Sequence, residues 1–317
     1  QAIPAYTMAC FPLPKTFNEE LNRLIARFWW SNRGISKIHW LPWKKITGSK
    51  KAGGLGFRDL HLQNQALLAK QGWNIMARPS SLMSRVLKAK YFPNSTFIEA
   101  GLGRSPSRTW RGIHASRQLL TVGLRWRVGS GEKIQVWKDP WIPRGPPFKP
   151  ICRNNECSET MRVAELLLPG FRGWNNPLVR RIFHPIDANS ILQLPVAKHR
   201  AEDTFLWHYT KKGCYSTASG YFLLQNGGGD SMVGPSNHQL QQTNFWTNLW
   251  QFPIPPKVTY FIWRLCSNIL PTRQELHRRH LTSSSECSIC SSHSENWRHL
   301  FLECNFATAV WRLGQVP

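Results

Sequence analysis

Near one end the chain sets three cysteines and a histidine into eighteen residues: Cys287-Ser-Ile-Cys290, eight intervening residues, then His299-Leu-Phe-Leu-Glu-Cys304. A Cys-x-x-Cys turn places two thiolates on one side of a tetrahedral Zn²⁺, and a histidine with a third cysteine closes the other side. The spacing predicts one structural zinc site with ligands Cys287, Cys290, His299 and Cys304. Catalytic zinc keeps one position open for water, and four protein donors leave none. His293 lies in the same loop and competes for the fourth position. His299 is favoured because it precedes the apolar run Leu300-Phe301-Leu302, which can fix it against a core. Glu295 and Glu303 read as solvated surface charges. Thiols without metal are the alternative. A disulfide is disfavoured because nothing points to an oxidising compartment.

The 317 residues suffice for two or three domains and a real core. Forty-one basic and seventeen acidic residues give a net charge of +24. Residues 1–150 carry a net +19 and residues 151–317 a net +5. Such a basic half implies a polyanionic partner, of which nucleic acid is the commonest. No apolar run reaches spanning length and no lipidation motif occurs, so no membrane partner is expected. Several of the sixteen tryptophans adjoin cations, as in Trp40 and Trp43 with Lys44-Lys45, Trp110-Arg111 and Arg125-Trp126-Arg127. Such pairs can stack on unpaired bases while the cations hold phosphates; the competing reading makes most tryptophans core anchors. The eight cysteines suit a reducing nucleus or cytoplasm. Gln1 is not an initiator methionine and no signal peptide precedes it, so the chain reads as a piece of something longer.

Helical signals dominate. Thr16-Phe-Asn-Glu19 is a capping-box pattern, followed at helical spacing by Phe17, Leu21, Leu24, Ile25 and Phe28. Asp59 caps a helix ending before Pro79, Ser81 opens another, and Arg104, Arg108 and Arg111 lead into a third that carries Trp110. Gly53-Gly-Leu-Gly56 lacks the Walker spacing and reads as a turn or close-packing point. Arg125–Val128 and Lys133–Trp137 flank Gly129-Ser-Gly131 as an expected β-hairpin. Asp203–Tyr209 and Gly213–Ser216 look like two short strands. Pro256 opens a helix bearing Val258, Phe261, Ile262 and Leu265; Thr272-Arg-Gln-Glu275 caps the next; Phe306, Ala309, Val310 and Leu313 form a final amphipathic helix. The expected class is mainly α with small β-hairpins, an α+β chain with a helical basic N-terminal region and a small zinc-stabilised helical C-terminal domain. The expected segments are 1–143, 144–212 and 213–317.

The last block, Trp250-Gln-Phe-Pro-Ile-Pro-Pro-Lys-Val258, Phe261-Ile-Trp263-Arg264, Leu270-Pro-Thr272, the cysteine–histidine set with Glu295, and Val310-Trp311, resembles the zinc-binding domain of plant non-LTR (LINE-type) retrotransposon reverse transcriptases. Ile3-Pro-Ala-Tyr6, Phe28-Trp-Trp30, Gly53-Gly-Leu-Gly-Phe57 and Trp137-Lys-Asp-Pro-Trp141 resemble the region after the polymerase palm of the same polyprotein. The likeness departs at the polar loop around residues 227–242 and at Asn296, where a small hydroxyl residue is more usual. It implies a thumb- or connector-like region over 1–143, a connecting region, and the zinc-binding domain over 213–317, with the upstream reverse transcriptase domain as a partner.

No catalysis by this chain alone is expected. Two-metal nucleotidyl transfer needs clustered carboxylates. The adjacent acidic pairs are Glu19-Glu20, which suits a helix first turn, and Glu202-Asp203, which reads as surface charge. There is no convincing ribonuclease H constellation. The leading expectation is a nucleic-acid-handling accessory region binding RNA or DNA, with phosphate contacts at Lys44, Lys45, Lys50, Lys51, Arg104, Arg108, Arg111, Arg125 and Arg127. The alternatives are a zinc-stabilised protein-interaction module and an inactive remnant of a retroelement.

Overall fold

A computed structural model describes residues 4–31, 38–151, 160–170, 173–196, 201–227, 237–291 and 293–314. Helices dominate them: α1 (Ala5–Cys10), α2 (Lys15–Trp30), α3 (Trp43–Ile46), α4 (Leu60–Ala77), α5 (Leu82–Tyr91), α6 (Arg108–Gly123), α7 (Asn176–Ile182), α8 (Pro185–Leu192), α9 (Thr217–Gln225), α10 (Asn237–Gln251), α11 (Pro256–Cys266), α12 (Arg273–Arg278) and α13 (Asn305–Leu313). Strands β1 (Leu124–Arg127) and β2 (Thr204–Trp207) form a small antiparallel ribbon. The α+β class with helix predominant is as expected. The described residues contain no helix long and apolar enough to cross a membrane.

The chain falls into two compact units. One comprises residues 1–21 and 58–234, the other 22–57 and 235–317. These are not the consecutive segments 1–143, 144–212 and 213–317. After the Pro-rich run that follows Asp139, the N–H groups of Trp141 and Ile142 both donate to the Phe148 carbonyl at 2.8 Å and turn the chain back. Trp141, Ile142 and Phe148 are all buried there.

In the first unit Asp59 caps α4, its Oδ1 accepting from the N–H groups of His61 (2.8 Å) and Leu62 (3.2 Å). Helix α4 packs against α1, α6 and α9. Leu68, Ala69 and Trp73 thereby join Trp110 and Leu120 of α6 and Trp207, Tyr215 and Leu223 in one core. A second cluster gathers Val128, Ile134, Val136, Trp141, Val163, Val179 and Phe183.

The expected hairpin is replaced by a long-range pairing. β1 pairs with β2, Leu124 opposite Trp207 and Arg127 opposite Thr204. The Gly129–Gly131 loop instead wraps a buried carboxylate: Asp203 Oδ1 accepts from Gly129 (2.7 Å) and Gly131 (2.9 Å), and Oδ2 from Lys133 (3.0 Å). Asp203 is thus a structural anchor rather than the surface charge expected. Its neighbour Glu202 is exposed and meets Lys133 at 3.3 Å. Beyond β2 the second expected strand gives way to a turn: the Trp207 N–H donates to Gly213 at 2.7 Å across it, and Tyr215 is buried.

In the second unit Trp30, Ile46, Leu249, Trp263 and Ile269 make the core, with Trp29, Trp40, Trp43, Trp246 and Trp250 packed around it. The indole of Trp263 donates to the Gly53 carbonyl at 2.9 Å. Gly53 sits at φ +81°, and a Cβ there would stand 2.9 Å from the Trp246 ring, so the glycine run is the close-packing point expected.

Two apolar stripes face outward. On α2 the buried positions are Asn18, Asn22, Ala26 and Trp30, whereas Phe17, Leu24 and Phe28 are exposed; Thr16 lies inside the helix rather than capping it. On α13 Phe306, Val310 and Leu313 are exposed and Ala307 is buried.

Asp203→Ala leaves two buried N–H groups and one partly buried N–H group without an acceptor and is expected to destabilise the fold by about 3 kcal/mol or more. Glu202→Ala, one residue away, is expected to change stability by no more than about 0.5 kcal/mol. Denaturant unfolding of the two variants checks the contrast, and equal effects would refute the anchoring role.

Candidate metal centre

The four thiol and imidazole residues come together in the second unit. One ligand atom from each of Cys287, Cys290, His299 and Cys304 lies within 4.8 Å of every other. Cys290 Sγ and His299 Nε2 are 3.2 Å apart. Cys287, His299 and Cys304 are buried, and Cys290 is half-buried. Tetrahedral zinc with bonds of about 2.3 Å to sulfur requires sulfur–sulfur separations of about 3.8 Å, so a small contraction brings this donor set onto the ion. Soft thiolates with one imidazole suit Zn²⁺, and these four side chains would hold it with no position left for water.

Local backbone chemistry shapes the donor cage. An isolated antiparallel bridge pairs Glu286 with Ser294, and the Cys287 N–H donates to the His293 carbonyl at 2.9 Å, which closes the Cys-x-x-Cys turn. His293 itself stands outside the donor set, its ring centroid 5.6 Å from that of His299. The other two donors lie at the ends of a single widened turn, His299–Glu303, where the Cys304 N–H donates to the His299 carbonyl at 2.8 Å. Asn296 opens that turn, its Oδ1 accepting from the His299 N–H at 2.7 Å. Asparagine is among the favoured N-caps, which suits Asn296 to this position.

Burial pushes the Cys287 thiol up from its ordinary range, while the backbone N–H groups of Cys290 and Ile289 pull it down.

The two nearby carboxylates differ. Glu303 is a surface charge, paired with Arg298 at 2.7 Å. Glu295, expected as another, is 7% exposed. Its Oε1 accepts from the Arg273 N–H at 3.0 Å and its carbonyl from the Gln274 N–H at 3.1 Å, so it satisfies the first turn of α12. Its own N–H donates to the Ser285 carbonyl at 2.7 Å, which ties α12 to the strand-like entry of the cysteine turn. A lone glutamate between polar neighbours carries no periodic signal that could mark it as buried.

The basic residues singled out in sequence divide between the units. Lys44, Lys45, Lys50 and Lys51 lie in the unit that holds the donor set, and Arg104, Arg108, Arg111, Arg125 and Arg127 in the other. Residues 22–57 carry eight basic and no acidic side chains, so the second unit holds +11 of the net +24 and the charge is nearly evenly shared. Arg125 is half-buried and the other eight are exposed. The neighbouring tryptophans are mostly structural: Trp110 is fully buried, and Trp126 lies against Phe205 with ring centroids 3.9 Å apart.

Protein purified with zinc is expected to hold one ion per chain by elemental analysis, and Cys287→Ser to lose it. Because thiol protons must leave on binding, zinc affinity should rise with pH, by about tenfold or more per unit around neutrality. Chelator competition at acid and alkaline pH measures this, and a flat profile would argue against thiolate ligation.

Comparison with known proteins agrees with this geometry. Residues 215–311 match the family described as zinc-binding in reverse transcriptase. That span begins at Tyr215, so its first twenty residues lie in the first unit and the remainder, with the whole donor set, in the second. No solved structure matches the chain. The chain is 30% identical to the "Putative ribonuclease H protein At1g65750" of Arabidopsis thaliana over 98% of its own length, and spans half the length of that relative. It is 44% identical to the "Uncharacterized mitochondrial protein AtMg00310" of the same plant, over 47% of its own length and 99% of the relative's. At that identity and coverage, the chain belongs to the family of that mitochondrial protein, and it carries the reverse transcriptase zinc-binding match beside it.

Proposed function

We propose that this chain is a nucleic-acid-handling accessory region of a retroelement reverse transcriptase, of the plant non-LTR type, with a structural zinc site and no catalysis of its own. The observation that carries the reading is the closed Cys287–Cys290–His299–Cys304 donor set inside the reverse transcriptase zinc-binding match. The excess of positive charge in both units supports a polyanionic partner, RNA or DNA. Lys44, Lys45, Lys50, Lys51, Arg104, Arg108, Arg111 and Arg127 are exposed, and among the described residues no carboxylate pairs with them. The side chain of Lys50 lies over the Trp250 ring, 4.9 Å from its centroid, which holds that cation at the surface of the aromatic core.

The non-catalytic part of the reading is supported by where the acids stand. Asp203 is committed to backbone N–H groups, and Asp187 is buried against Arg144 at 3.2 Å. Among the described residues the thiol–imidazole set is the one cluster of three or more potential metal donors. The ribonuclease H in the name of the longer relative belongs to that protein, of which this chain spans half.

A second reading, a zinc-stabilised surface for protein partners, is favoured by the apolar side chains exposed on the metal-bearing unit: Phe261, Leu302, Phe306, Val310 and Leu313. The two readings separate in a salt series. Nucleic-acid affinity should fall steeply with salt. Replacing Lys44, Lys45, Lys50 and Lys51 together by glutamine should lower the log–log slope by roughly 0.7–0.9 for each phosphate left without its cation. Binding that ignores both salt and these substitutions would leave the protein-partner reading in place.

A further inference from the structure

The register of the small ribbon sets Arg125 opposite Leu206 and Arg127 opposite Thr204. Strand side chains alternate between faces, so Arg125 and Arg127 share one face while Leu124 and Trp126 take the other with Phe205 and Trp207. His208 follows β2 two residues after Leu206, on the arginine face, and its N–H donates to the Gly123 carbonyl at 2.9 Å. The His208 ring packs on buried Phe148 with centroids 4.7 Å apart.

Arg125 Nε and His208 Nδ1 are both buried and without a hydrogen-bond partner. Among the described residues no carboxylate pairs with Arg125, Arg127 or His208. Burial and then the neighbouring Arg127 disfavour the charged guanidinium of Arg125; burial and then Arg125 do the same to the His208 imidazole. Other buried charges of this unit are matched, Asp187 by Arg144 and Asp203 by backbone N–H groups. A partly buried guanidinium beside a second one, with no acceptor, is costly unless an anion completes the site. His208 also lines a cavity of about 530 Å³ with Tyr209, Thr210, Lys211, Ser219 and Phe222, a lining that does not include the two arginines.

We propose that Arg125, Arg127 and His208 form a seat for one phosphate group of a nucleic-acid backbone. The guanidinium fork suits phosphate oxygens, and the imidazole adds a donor from the adjoining strand end. The polymer rests on the nucleic-acid reading above; the bound anion does not.

Arg125→Met tests the seat in the full chain. Thermal unfolding is followed in low-millimolar inorganic phosphate and in chloride at matched ionic strength, beside binding of a short single-stranded oligonucleotide. The variant without ligand should be at least as stable as the parent, because a partnerless cation has been removed. The parent's stabilisation by phosphate should be lost, and oligonucleotide affinity should fall about tenfold. Phosphate that stabilises parent and variant alike acts as a general salting agent and overturns the seat, as does a parent that gives no response. If Arg125→Met does not fold, His208→Gln is read the same way, and an undiminished phosphate response there overturns the proposal. A phosphate response without oligonucleotide binding overturns the backbone assignment in favour of free phosphate. Oligonucleotide binding untouched by Arg125→Met sinks the seat while leaving the nucleic-acid reading standing.

Discussion

Burying an indole N–H is costly without an acceptor, and that of Trp263 finds one 210 residues earlier, at Gly53. That bond ties together two distant stretches of the second unit. Its core is neither the stretch matched as a zinc-binding domain nor any continuous segment; it is α10 and α11 closing on Trp30, Ile46 and the glycine run. The donor cage contributes a small cluster of Cys287, Cys304 and Ala307, far too little apolar area to fold by itself. Donor set and aromatic core are therefore complementary: one gathers the turns after α12, the other packs the helices before it.

Charge follows the same interleaving. Along the linear chain the positive excess belongs to the front. In the fold, residues 22–57 carry eight of those cations into the unit that holds the thiols, so each unit has its own basic character. A polyanion need not select one half of the protein, and the aromatic residues beside these cations serve mainly to pack the cores on which the cations are mounted.

Local signals are the legible ones. Asp59, Ser81 and Thr272 cap the helices their spacing announces, because a side chain that accepts an N–H two or three residues on needs no tertiary context. The Cys-x-x-Cys and His-x4-Cys pattern is likewise local, and the four donors meet. Pairing is not legible. The hairpin expected across Gly129–Gly131 yields to β2 because Asp203 captures the loop's N–H groups, a choice made more than seventy residues away. Periodicity also misleads wherever an apolar stripe is not the buried face. On α2 the hidden positions include Asn18 and Asn22, and the aromatic stripe faces outward. Burial of Asp203 and Glu295 is invisible in sequence for the same reason: acidic residues are buried only when a particular set of N–H groups awaits them, and that set is tertiary.

The interleaved order of the second unit has a kinetic meaning. Trp29, Trp30, Trp40 and Trp43 are synthesised well before α10 and α11, the helices that cover them. Pairings of such high sequence separation form slowly, and apolar surface that waits is open to wrong partners. The donor set, by contrast, closes within eighteen residues and can organise as soon as Cys304 is available. The donor set thus lies within the later segment, whereas the aromatic strip made earlier is covered only when that segment comes back to it.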